Sequence, residues 1–390
     1  MKTINDKLNF LQQKLGVDDI VKVMIVGLGS VGGYLLDYLV NLRDARMEII
    51  ITGRNRDKLE QDVNIIRTAA TIRGVLSSKI TIDGGCDLDN IDSIAETFSR
   101  HQPDFIVNSS RVYAGLKYGS ISWHTLRAYG IWTPLSIRYT RNIMEGYRMA
   151  GCRAIVINTS YSDAVIPWLK SAGKVFPDFG SGNLNHLIPR IKFYIAEQYQ
   201  IDNLNDIDVT LAVSHFHDVV ISKEGHAEGQ DLLLDVRYQG KHLDAEQSEI
   251  FKHCAIAMPV DQKRNMMNAS SNFSIIHAIL EAIRLKKREK IHSPGVLGEI
   301  GGYPYIIDGE KMNSYFDESI FSMSQMREAN RRSIALDGVE NVVDGKLIYT
   351  DALVANVRNA FNVDLPKVVH FNEIDEVGSF IIEQIIMKNK

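Results

Sequence analysis

Apolar residues recur along the 390-residue chain in two rhythms that alternate over its first 160 positions. Short continuous runs, "VKVMIVGLG" (21–29), "MEIIITGRN" (47–55), "KITIDGG" (79–85), "PDFIVNSS" (103–110) and "RAIVINTS" (153–160), predict strands buried on both faces. Between them "VGGYLLDYLVNL" (31–42), "RDKLEQDVNIIRTAATI" (56–72), "NIDSIAETFSRHQ" (90–102) and "PLSIRYTRNIMEGYRMAG" (134–151) carry apolar positions at helical spacing. Strand and helix in alternation predict an α/β, doubly wound parallel sheet over 21–160. Ile4, Leu8, Leu11 and Leu15 place a short amphipathic helix ahead of it, within 1–20.

After residue 160 the alternation breaks down. "LIPRIKFYIAEQYQI" (187–201) reads as helix, while "DVTLAVSHFHDVVIS" (208–222), "QDLLLDVRYQG" (230–240) and "YPYIIDG" (303–309) read as strands. "NFSIIHAILEAIRLKKREK" (272–290) reads as one long helix whose basic end, "RLKKREK", is solvated, since cations favour that terminus. This mixed order predicts an α+β catalytic domain over 161–335. A hairpin strand and helix in "DGKLIYTDALVANVRNAF" (344–361) and a closing helix "EVGSFIIEQIIMK" (376–388) then form a segment, 336–390, packed on the core.

Composition narrows the function classes. The chain is 45% hydrophobic and 24% charged with a net charge of −4, which gives no electrostatic reason to expect nucleic acid or an anionic membrane as partner. Cys86, Cys152 and Cys254 lie far apart without a CxxC pair, so neither a disulfide framework nor a thiolate zinc site is suggested. The N-terminus lacks the apolar core of a signal peptide, and no apolar run reaches the ~18 residues of a membrane span. The expectation is a cytoplasmic protein acting on a small molecule, as a homodimer.

"GLGSVGG" sets Gly27, Gly29 and Gly32 in G-x-G-x-x-G spacing, after an apolar strand and at the start of a helix. There the first glycine permits the tight turn, the second lets backbone approach a pyrophosphate, and the third packs helix on strand. Ser30 and Val31 would complete that phosphate cradle, with Asn108 and Ser109 at the end of the fourth strand beside it. An NAD site usually ends its second strand with Asp or Glu for the ribose 2′-hydroxyl. Here "ITGRNRDK" offers Thr52, Arg54 and Asn55 instead, which suits a 2′-phosphate and so NADP, with NAD as the second choice. "YAGLK" gives Tyr113 and Lys117 the Tyr-x-x-x-Lys spacing of short-chain dehydrogenases, but after the fourth strand rather than the fifth, so chance is the better account.

"INTSYSD" (157–163), "GSGNLNHLIPRIKF" (180–193) and "VSHFHDVV" (213–220) follow in order, and "SIIHAILEAI" precedes "GEIGGYPYIIDG". Over roughly residues 22–310 the chain resembles the lactate and malate dehydrogenase superfamily. That resemblance implies Asn158 beside nicotinamide and substrate, His215 as general acid, Arg190 on the substrate carboxylate, and Asn185 where the family has the aspartate that orients the histidine. Arg138 and Arg141 are candidates for its carbonyl-polarising arginine. The N-terminal half, with "TGRN" and "PDFIVNSS", also resembles saccharopine dehydrogenases, which couple or cleave amino acids through an imine.

The residues themselves leave alternatives open. A protonated histidine suits hydride transfer, because the reduced carbonyl or imine must gain a proton. On a strand, however, His215 and His217 share a face, so with His186 they could chelate zinc, or they could be a silent interior pair. Asp218 stands one position too early for H-x-H-x-D-H, which disfavours metal. Arg190 is equally a surface helix residue paired with an acid. The reading is an NADP-preferring oxidoreductase; a saccharopine or opine-type coupling enzyme and a non-catalytic dinucleotide sensor are the alternatives.

Overall fold

A computed structural model describes residues 2–42, 46–75, 78–113, 118–182 and 184–389. In chain order the elements are α1 (Ile4–Leu15), β1 (Ile20–Val26), α2 (Ser30–Val40), β2 (Arg46–Thr52), α3 (Arg56–Ile72), β3 (Lys79–Asp83), α4 (Ile91–His101), β4 (Phe105–Asn108), α5 (Thr133–Met149), β5 (Ile155–Asn158), α6 (Ser162–Ser171) and β6 (Phe179–Gly180). The second half continues with α7 (Leu184–Tyr199), β7 (Ile207–Ala212), α8 (His215–Glu224), β8 (Leu233–Tyr238), β9 (Lys241–His242), α9 (Gln247–Cys254), α10 (Asn265–Leu285), β10 (Arg288–Pro294), β11 (Gly302–Asp308) and β12 (Asn313–Phe316). Then come α11 (Met323–Leu336), β13 (Val339–Val343), β14 (Lys346–Tyr349), α12 (Asp351–Phe361), β15 (Val368–His370) and α13 (Ile374–Ile381).

β1 to β6 form one parallel sheet in the order β3-β2-β1-β4-β5-β6, the arrangement of a Rossmann domain. Side chains alternate across it as the pleat requires. Val23 and Ile25 of β1 join Ile49, Ile51 and Val107 in one core, whereas Met24 and Val26 join Ile50, Ile106 and Val156 in the other. The first face is covered by α2 and α3, but also by α1 and by α10, which arrives from the second half of the chain. The opposite face is covered by α4, α5 and α6 and by the last 50 or so residues, through Val339, Leu347, Tyr349 and Ile381. A third core gathers α7, β7, α8, β8 and α9.

The helix ahead of the sheet is fixed by more than its apolar stripe. Thr3 and Asp6 form a capping box at its start. On its buried side the Lys7 ammonium meets the Asp178 carboxylate at 2.6 Å, and Asp178 also accepts the Val156 amide at 2.8 Å.

Two readings from sequence are corrected. The strand expected over 208–222 ends at Ala212, and His215 opens α8. Ser214 takes an extended N-cap conformation, and the Asp163 carboxylate receives the His215 amide at 3.0 Å, satisfying an otherwise orphaned helix donor. The helix expected over 272–290 stops at Leu285, where Lys286 adopts left-handed φ of 50°, and Arg288 starts β10. Thus only half of "RLKKREK" is a helix end; Arg288 and Lys290 lie on a strand and pair with Asp308 and Asp208. Among the described residues no helix is long and apolar enough to cross a membrane.

Candidate active site

A cleft of about 880 Å³ opens at the carboxyl ends of β1 and β4, where strand order reverses, and runs to the start of α8. This switch point is where open α/β sheets take ligands. The β1–α2 loop forms one end of it. Gly27 holds φ of +88°, which an L side chain rarely adopts. A Cβ on Gly32 would lie 2.4 Å from the Gly27 carbonyl oxygen, so helix and loop touch there. By contrast a Cβ on Gly29 would meet nothing within 4 Å, which leaves bare backbone facing open cleft. The three glycines therefore divide into turn, open floor and close packing, the division a pyrophosphate at a helix N-terminus needs.

Ser30 and Val31 border this end, and Ser109 donates its hydroxyl to the Gly27 carbonyl at 2.6 Å, which fixes the loop. Thr52 and Arg54 border it as well. No carboxylate ends β2, but Arg54 stands 3.5 Å from Asp89 and 3.9 Å from Asp87. Asn55 is a helix cap: its side-chain oxygen accepts the Lys58 amide at 3.0 Å, and it does not border the cleft.

Asn108 and Asn158 also stay out of the cleft. They end adjacent strands in register, and the Asn108 amide donates to Asn158 Oδ1 at 3.0 Å and to Thr140 at 3.1 Å. The Asn158 amide in turn donates to the Ser160 carbonyl and the Ser162 hydroxyl. Both side chains are engaged in a buried network that ties β4 to β5, so the nicotinamide contact expected of Asn158 has no free group to make it. Asn185 points elsewhere too, donating to Ser271 at 2.7 Å and to the His292 carbonyl at 3.0 Å, on the side of α10 and β10.

At the other end stands His215. Its Nδ1 lies 2.9 Å from Asp337 Oδ2, and Asp337, wholly buried, also accepts the Tyr161 hydroxyl at 2.8 Å and the Tyr129 amide at 2.7 Å. Tyr129 and Tyr161 set their rings edge-on to the imidazole, with centroids 4.6 and 5.4 Å away. Burial alone would push the His215 pKa down, but the carboxylates of Asp337, Asp163 and Asp218 outweigh it and hold the ring above the usual histidine value. Asp163 is buried and has its own carboxyl pushed up to about 6, chiefly by burial. With Nδ1 tied to Asp337, Nε2 is left for the cleft, where it has no protein partner among the described residues.

His217 is different. On a helix, residues two apart lie on opposite sides, and His217 is buried against the Ser333 hydroxyl at 2.7 Å with its pKa pushed down to about 4 by burial. The zinc geometry that a strand would have allowed is therefore absent for this pair. Arg190 borders the cleft but is almost fully buried, its guanidinium donating to the Cys254 carbonyl at 2.7 Å rather than to a surface acid. Arg264 also borders the cleft, without an ion pair among the described residues. Arg138 and Arg141 lie outside it, tied to Asp89 and Asp375, whereas Arg111, in the loop after β4, does border it. Of "YAGLK", Lys117 lies outside the described residues.

Sequence reasoning missed Asp337. It lies 122 positions beyond His215 at the end of α11, and "LDG" there reads as a turn. It also missed Arg264 and Arg111, whose only signal was charge within a loop.

No family model matches the chain, and no curated protein matches it. Among solved structures it is similar to the malate dehydrogenase from Aeropyrum pernix at 14% identity and TM-score 0.52, over 81% of this chain and 97% of that one. It is similar to the Cryptosporidium parvum malate dehydrogenase at 12% identity and TM-score 0.53, over 80% and 95%. A lactate dehydrogenase from Cryptosporidium parvum, complexed with lactic acid and β-nicotinamide adenine dinucleotide, aligns at 14% identity and TM-score 0.51, over 93% and 98%. These likenesses agree with the fold, an N-terminal Rossmann sheet followed by further sheets and helices, as the pattern of strands and helices along the chain predicts.

Proposed function

We propose that the chain is a nicotinamide-dinucleotide-dependent oxidoreductase, preferring NADP, that transfers hydride to or from a carbonyl, alcohol or imine carbon of a small carboxylate-bearing substrate. One observation carries this reading: a single cleft joins the glycine loop to a histidine held by a buried carboxylate. A bound nicotinamide would accept or supply the hydride. The protein's part is to place charge and protons. The β1–α2 loop and the α2 N-terminus bind the phosphates. Asp337 fixes the His215 tautomer with a proton on Nδ1, so that Nε2 delivers a proton to the reduced oxygen or nitrogen, or takes one in the reverse direction. Arg190 and Arg264 hold the carboxylate beside the reacting carbon.

The preference for NADP rests on the absence of a carboxylate at the end of β2 and on Arg54 and Lys58 bordering that end of the cleft. Titration of the protein with NADP⁺ and NAD⁺ checks it: Arg54→Ala should weaken NADP⁺ about tenfold or more and NAD⁺ little. Equal weakening removes the 2′-phosphate argument. For the reaction, keto acids are scanned with and without added amines while reduced-cofactor absorbance is followed. His215→Asn should lose turnover of whichever substrate responds and keep cofactor affinity; survival of activity refutes the assignment.

A further inference from the structure

α8 presents a stripe to the cleft. His215, Asp218 and Ser222 are spaced at i, i+3 and i+7, so they share one side of the helix, and all three border the cleft. The first serves the reading above, but the other two have no role in it.

Asp218 is only 7% exposed, yet its Oδ1 is buried without a hydrogen-bond partner. His186 Nδ1 stands 3.7 Å from Oδ2, too far for a hydrogen bond. Nor does Arg190 close on it, although the two feel each other's charge. Arg190 Nε, His186 Nε2 and Ser222 Oγ are likewise buried without partners, and these residues border the same cleft. A structural ion cluster would close such gaps, since each unmade bond costs about 1–3 kcal/mol. Here donors and acceptors are left unmatched in the wall of the cleft.

Charge says what fits there. A keto or hydroxy acid offers its carboxylate to Arg190 and Arg264 and its reacting oxygen to His215. It offers nothing to Asp218, and a second carboxylate there would be repelled. An ammonium group carries three donors and a positive charge, which is what an unpartnered, nearly buried carboxylate lacks. Resting on the oxidoreductase reading, we propose that the substrate bears an ammonium group beside its carboxylate, with Asp218 receiving the ammonium and Arg190 the carboxylate. The substrate class is then an α-amino acid, or a product built on one, rather than a 2-hydroxy acid.

The test is calorimetric titration of the full chain, loaded with NADP⁺, with pairs of equal skeleton: L-alanine against L-lactate, L-aspartate against L-malate, L-glutamate against L-2-hydroxyglutarate. In at least one pair the amino acid should bind tenfold or more tightly than its hydroxy partner, and Asp218→Asn should erase that preference. Retained NADP⁺ binding shows that the variant is folded, and the wild-type comparison stands without it. Hydroxy acids binding equally or better in every pair, or no binding in any, overturns the proposal, as does a preference that survives in Asp218→Asn. Turnover of a hydroxy acid alone would leave the oxidoreductase reading standing and this one refuted; failure of NADP⁺ to bind would strike the parent reading instead.

Discussion

Replacing Asp337 by asparagine isolates the group that holds His215. The substitution keeps size and shape, and asparagine Oδ1 can still accept the Tyr129 amide that now lies 2.7 Å from the carboxylate. What disappears is the charge beside His215 Nδ1, at 2.9 Å, and the acceptor shared with the Tyr161 hydroxyl. A hydrogen bond to a charged group contributes ~1.5–3 kcal/mol, a factor of about ten to a hundred or more in the population of the protonated ring. Asparagine also presents an N–H to Nδ1 and so favours the wrong tautomer, with Nε2 already protonated in the neutral ring. We expect kcat/KM for reduction to fall by roughly 10²-fold near neutral pH and its alkaline limb to move to lower pH. The pH profile from 5.5 to 9 is the assay, with the His215 ring titrated by NMR as a readout that needs no substrate. Stability follows the same sign. A histidine raised in the folded state stabilises fully below its unfolded pKa and loses that contribution as pH rises through the folded one. The variant should therefore lose more unfolding free energy at pH 6 than at pH 9. An unmoved alkaline limb with a rate within twofold of wild type would refute the dyad.

Gly29→Ala should leave the melting temperature nearly unchanged, because its Cβ meets nothing, while weakening NADP⁺ tenfold or more; Gly32→Ala, whose Cβ would press on Gly27, should lower stability by about 1–3 kcal/mol as well. Equal melting temperatures for the two would contradict the division of the glycines. Lys7→Met leaves the buried Asp178 carboxylate without its cation and should cost about 3–5 kcal/mol in denaturant unfolding; a loss under 1 kcal/mol would show that Asp178 is adequately held by the Val156 amide. His217 and His292, pushed by burial down to about 4 and about 3, resist protons that the unfolded chain takes up, whereas Asp163, pushed up to about 6, binds one that the unfolded chain releases. Between pH 6 and pH 5 the net of these three is about one proton, so their joint contribution to stability should fall by about 1 kcal/mol per unit as pH drops. His217→Gln should flatten that slope, and an unchanged slope would place the histidine outside the linkage.

What was legible in the sequence was local. The glycine spacing, the apolar strands and the helices between them depend on neighbours a few residues apart, and β1 to β5 lie where their patterns put them. α8 was misread because β7 runs into "VSHFHDVVIS" without glycine or proline, and its β-branched residues imitate a strand. Its helix start is set by Asp163, which receives the His215 amide from 52 positions away. The sequence resemblance gives Asn185 the place of an aspartate that would orient His215, but the carboxylate that does so comes from Asp337 by tertiary folding. Asn108 and Asn158 sit at strand ends facing the right region, but register sets them side by side, where they bond each other. No spacing rule reveals that two amides will meet across a sheet.

The wide separation of Asp337 from His215 also orders events in time. A growing chain presents its glycine loop and the strands of the parallel sheet before α11 has been made, so on the reading proposed above the residues that would hold a dinucleotide are synthesised before the one that completes the proton relay. Only when the end of α11 docks does the histidine gain its carboxylate. On that reading, a molecule whose last segment has come loose keeps the glycine loop but loses the carboxylate that holds His215, which ties proton transfer to the docking of the far end of the chain.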